Sequence, residues 1–123
     1  MLVEHFAAVL WVTGALTATP IVQFAAPKLV LARMYRIELT DEAGLFIARH
    51  WGLLAASIGG LLMFAAVHPE LRPAVVTAAL VEKVGMVVAF ALVRRQPFAR
   101  GLRMVAAVDR TCVVLYAAWL VTS

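Results

Sequence analysis

Long apolar runs alternate with short polar stretches along this chain. Four runs stand out, Leu2 to about Phe24, Ala43 to Val67, Ala74 to Val93 and about Met104 to Val121, each near the roughly 20 residues that cross a hydrocarbon core as a helix. The pattern predicts an all-α fold. The expected architecture is an integral membrane four-helix bundle, one transmembrane domain over residues 1–123, with helices at about 2–24, 43–67, 74–93 and 104–121. Between the first two runs, Ala26 to Arg36 is too short and too basic to span and suits a segment lying along the headgroups. Thr40, followed by Asp41 and Glu42, predicts the start of the second helix, a capping hydroxyl with acids in the first turn. His68-Pro69-Glu70-Leu71-Arg72-Pro73 predicts a tight turn with Pro73 in the first turn of the third helix, and Arg94-Arg95-Gln96-Pro97 predicts that helix's end.

Composition strengthens the membrane reading. The chain is 64% hydrophobic and 15% charged, against an apolar share of about 45–50% in soluble domains. The net charge of +4 does not point to nucleic acid, because the basic residues cluster at the ends of apolar runs rather than along a polar face. A single cysteine, Cys112, excludes an intramolecular disulfide and reads as a small buried hydrophobe. The first run lacks the basic flank of a secretory signal, carrying Glu4 and His5, and is expected to be retained.

Lysine and arginine placement sets an expected orientation. Lys28, Arg33 and Arg36 fall in the first connection and Arg94, Arg95, Arg100 and Arg103 in the third, while the second holds only Arg72. The positive-inside rule then puts connections one and three in the cytoplasm and both termini outside. Tyr35 and Trp119 are expected as interfacial anchors.

Charges inside the runs are the clue to a site, since one near the centre of a spanning helix costs roughly 2.5–3.5 kcal/mol on insertion scales unless it finds a partner or water. At about 1.5 Å of rise per residue, Arg49, His50, Glu82, Lys83, Asp109 and Arg110 all fall between the cytoplasmic surface and the midplane, from three of the four helices. Helical phase aligns Glu82 with Val75, Ala78, Gly85 and Ala89, which predicts that Glu82 faces the bundle and Lys83 occupies a flank. His50, Leu53, Ser57 and Gly60 share a stripe of the second helix, with Gly59-Gly60 permitting close contact, and Thr13, Thr17 and Pro20 give the first a polar, broken inner face. Lys83 with Asp109 and Glu82 with Arg110 are the expected pairs. Three cations against two acids leave one positive charge unmatched, which suggests a pocket for an anionic or carbonyl-bearing amphiphile.

Other readings stay open. Buried ion pairs can simply fix which helices meet. A proton-coupled oligomeric transporter is the alternative function, and a membrane-embedded enzyme the third. The sequence holds no P-loop, paired-cysteine spacing, nucleophile elbow or His-x-x-x-His pair, so no catalytic residue, metal or cofactor is predicted. The expected partners are the bilayer, a small amphiphile or lipid, and further copies or a larger membrane complex.

The stretch Ile47-Ala48-Arg49-His50-Trp51-Gly52-Leu53-Leu54, with Pro69-Glu70-Leu71-Arg72-Pro73, Glu82-Lys83-Val84 and Val108-Asp109-Arg110, resembles small bacterial four-helix membrane proteins grouped as domains of unknown function, and more loosely the DoxX-type proteins. The resemblance covers about Pro27 to Val121. It implies a bacterial inner membrane, a four-helix fold and recurring polar positions at Arg49-His50-Trp51-Gly52, Lys83 and Asp109, but no activity. Glu82 departs from the pattern, where a small or hydroxyl residue is more usual.

Overall fold

A computed structural model describes residues 2–122, and they contain helices and turns without strands. Helix α1 (Phe6–Ala18) and the short α2 (Ile21–Ala25) are one apolar segment broken at Thr19-Pro20, where the proline cannot continue the amide ladder. Helix α3 (Pro27–Met34) is the expected short basic segment. Then come α4 (Glu42–Val67), a 3-10 turn over Pro69–Leu71, α5 (Arg72–Val93), a second 3-10 turn over Pro97–Leu102, and α6 (Arg103–Thr122). Four segments, Phe6–Ala25, Glu42–Val67, Pro69–Val93 and Pro97–Thr122, are long and apolar enough to cross a membrane. Large apolar side chains cover their outer faces, as at Phe46, Ile47 and Leu92, where lipid tails are the natural solvent.

Local rules explain the boundaries with one shift. The cap of α4 is Asp41 rather than Thr40, its carboxylate accepting from the Gly44 amide at 2.7 Å. A carboxylate at this position answers both the free amides and the helix dipole. Arg72 does more than sit in a turn. Its guanidinium donates to the carbonyls of Ala65 and Ala66 at 2.9 and 2.8 Å, tying down acceptors in the last turn of α4, where the helical ladder runs out.

Small residues bring α1 and α2 onto α4. A side-chain carbon on Gly59 would strike the Ala18 backbone nitrogen, one on Gly14 would lie 2.9 Å from the Gly59 carbonyl oxygen, and one on Gly52 would lie 2.7 Å from the Pro20 carbonyl oxygen. The buried stripe of α4 is therefore Ala48, Gly52, Ala55, Gly59 and Leu62. His50, Ser57 and Gly60 are exposed on the other side. On α5 the expected facing is also turned: Val76, Ala79 and Lys83 are buried, whereas Ala78, Gly85 and Ala89 are exposed and Glu82 is half-buried. Counting small residues as the packing face misled here, because a small residue can equally line open space.

Two apolar clusters hold the helices. One joins Phe6, Leu10, Leu62, Val76, Tyr116 and Trp119, with Phe6 stacked on Trp119 at 4.5 Å. The other joins Val30, Leu31, Tyr35 and Ala48, with Trp51 5.9 Å from Tyr35. Trp119 and Tyr35 are thus core residues, not interfacial anchors.

Candidate functional site

A cavity of about 600 Å³ is walled by the broken end of the first segment (Leu16, Thr17, Thr19, Pro20), by Tyr35, by Trp51 and Ala55, and by the facing stretches of α5 and α6. Past Pro20 the chain lies on Gly52 of α4, and the residues just before the break form one end of the wall. The wall is mostly apolar. Its charged members are Glu82, Lys83 and Asp109.

Lys83 is 1% exposed, and its Nζ donates to Asp109 Oδ1 at 2.8 Å. The pair joins α5 to α6, as expected from the sequence. Two charges at that depth offset each other's desolvation only when the contact is direct and hydrogen-bonded, and this one is. Glu82, the adjacent residue, has a buried Oε2 without a hydrogen-bond partner. Its expected partner, Arg110, is exposed on the outer side of α6.

Arg49 and His50 are exposed on α4. His50 lies opposite Gly52 and Ala55 and Arg49 on a flank between the two faces, and neither they nor Arg110 line the cavity wall. Of the six residues that the sequence singled out, Glu82, Lys83 and Asp109 are brought together and the other three are not. This reverses the local charge count. With both arginines outside, the wall carries two carboxylates against one ammonium, and the cationic surplus that suggested an anionic ligand at this depth disappears.

Several polar contacts were not anticipated. Tyr116 Oη donates to Thr13 Oγ1 at 2.6 Å, and Thr13 in turn donates to the Val9 carbonyl at 2.7 Å, a buried chain linking the first and last segments. Gln23, fully buried, donates through Nε2 to the Ala48 carbonyl at 2.7 Å, while its Oε1 lacks a partner. Tyr35 lies outside the spanning segments. Burial pushes its hydroxyl above the ordinary tyrosine value, and the Asp109 carboxylate adds to the rise. An amide side chain near the end of an apolar run was the available signal for Gln23; nothing in the spacing pointed to Tyr35.

Among the described residues no group of three or more histidine, cysteine, aspartate or glutamate side chains is placed to hold a metal. No protein-family model matches the chain, and no curated protein or solved structure matches it either.

Proposed function

We propose that this chain is a multi-pass protein of a bacterial inner membrane, a four-helix bundle whose internal cavity binds a small amphiphile. Connections one and three lie in the cytoplasm and both termini outside, by the distribution of lysine and arginine. The observation that carries the reading is a buried Lys83–Asp109 pair beside an unpartnered Glu82 oxygen on the wall of a largely apolar cavity. An apolar pocket with a few convergent polar groups is the usual form of a small-molecule site. The α5 side of the wall, at Gly85 and Ala89, is exposed, and a chain-bearing molecule would enter there.

The test is native mass spectrometry of protein extracted in mild detergent. Wild-type protein is expected to carry a co-purifying amphiphile and Lys83→Met to lose it, whereas Arg49→Met, on the outer face, retains it. Equal ligand content in wild type and Lys83→Met would refute the proposal.

The unpartnered Glu82 oxygen also favours a second reading, a proton-coupled carrier assembled from several copies, since an intramembrane carboxylate is a common proton station. Proteoliposome flux abolished by Glu82→Gln supports that reading, and flux insensitive to the substitution removes it.

A further inference from the structure

Next to the cavity lies a second recess of about 660 Å³, formed where the end of α3 meets the 3-10 turn before α6. Its charged members are Arg36, Arg100 and Arg103, and no acidic side chain lines it. All three arginines are exposed, and among the described residues no carboxylate lies within ion-pairing distance of them. Arginines at the end of an apolar run serve as orientation signals wherever they point. Here, three from two separate connections converge on one recess.

Two local features hold them there. Gly101 packs so closely on the Tyr35 carbonyl that a side-chain carbon at 101 would collide with it, which fixes the second 3-10 turn against the end of α3. Arg36 has φ 55, a left-handed conformation that non-glycine residues rarely take and that commonly ends helices. It lets the Ile37 amide return to the Leu31 carbonyl at 2.9 Å. Met34, Tyr35, Gly101 and Met104 line both this recess and the cavity, so the two are neighbours sharing a wall.

Guanidinium groups present paired donors that match phosphate oxygens better than other cations do. An apolar cavity adjoining an arginine recess suits a molecule with a charged head and a hydrocarbon body. We propose that Arg36, Arg100 and Arg103 bind a phosphate group, and, resting on the amphiphile reading above, that this phosphate is the head of the molecule whose chain enters the cavity. The anionic character expected from the sequence is thereby placed in the neighbouring recess rather than beside Lys83.

The test measures binding of three probes to full-length protein in a neutral detergent by native mass spectrometry: dodecyl phosphate, inorganic phosphate and dodecanol. Dodecyl phosphate is expected to bind more tightly than either of the others. Arg36→Gly, which suits the left-handed backbone, and Arg100→Gln/Arg103→Gln should each weaken it on the order of tenfold or more, about the loss of one charge-assisted hydrogen bond, while leaving dodecanol unchanged. Arg94→Gln/Arg95→Gln removes the same charge outside the recess and should leave both unchanged. Equal weakening by the two double variants would overturn the proposal, since net charge alone would then explain binding. Dodecanol binding without any gain from the phosphate would also overturn it and leave the cavity reading intact. Arginine-dependent binding of inorganic phosphate with no gain from the chain would keep the phosphate site, identify its ligand as free phosphate and sink the amphiphile reading.

Discussion

Lys83 is the residue on which the account rests, and its environment makes a sharp stability prediction. Lys83→Met leaves the Asp109 carboxylate buried without its ammonium partner, and breaking such a pair costs about 3 kcal/mol or more in soluble proteins. Thermal unfolding in detergent should show a large loss for this variant and substantial recovery in Lys83→Met/Asp109→Leu, where no charge remains to be buried. A double variant as unstable as the single one would contradict the assignment. Tyr35 gives a pH dependence. Its folded hydroxyl holds the proton more tightly than the unfolded chain does, so above the ordinary tyrosine value of about 10 the unfolded state binds fewer protons and stability falls as pH rises. Below that value its contribution is complete. Unfolding followed from neutral to alkaline pH should show a decline that is smaller in Tyr35→Phe.

At the scale of elements, glycines sort into two kinds that composition alone does not separate. Gly59 and Gly14 set the approach of α1 to α4, whereas Gly60 and Gly85 have nothing within 4 Å of an added side-chain carbon. Gly59→Leu is expected to destabilise by about 1–3 kcal/mol, the usual cost of forcing bulk into packed contacts, and Gly60→Leu by much less. Comparison of their unfolding temperatures checks this, and similar losses would argue against the α1–α4 contact. The same distinction explains what was legible in the sequence. Helix positions follow from apolar run length and from Pro20, Pro73 and Pro97, so they were readable to within a few residues, apart from the start of the first run, where the helix begins at Phe6 rather than Leu2. Facing was harder. Glu82 shares a stripe with Gly85 and Ala89, which looks like a packing face but lines the cavity, so the phase of α5 was read about 100° from the buried one. Asp109 was assigned its partner because the two opposite charges fall at similar depth. Arg49, His50 and Arg110 share that depth too, and depth alone cannot say which side of a helix a residue occupies.

For the whole molecule, the break at Thr19-Pro20 lies on the wall of the candidate site. Beyond the break the chain lies on Gly52 of α4, and Leu16, Thr17, Thr19 and Pro20 line the cavity. Its polar wall joins α5 to α6, its aromatic wall comes from Tyr35, just past α3, and from Trp51 of α4, and its neighbouring recess is rimmed by arginines. The central claim is that this space admits a hydrocarbon chain, and Trp51 on its wall reports on that directly. In a Trp11→Phe/Trp119→Phe background, where Trp51 is the remaining tryptophan, fluorescence should be quenched saturably by bromododecanol, and Gly85→Leu, which fills the cavity from its open side, should abolish the saturable component. Quenching that rises without saturation and is unchanged by Gly85→Leu would contradict the account.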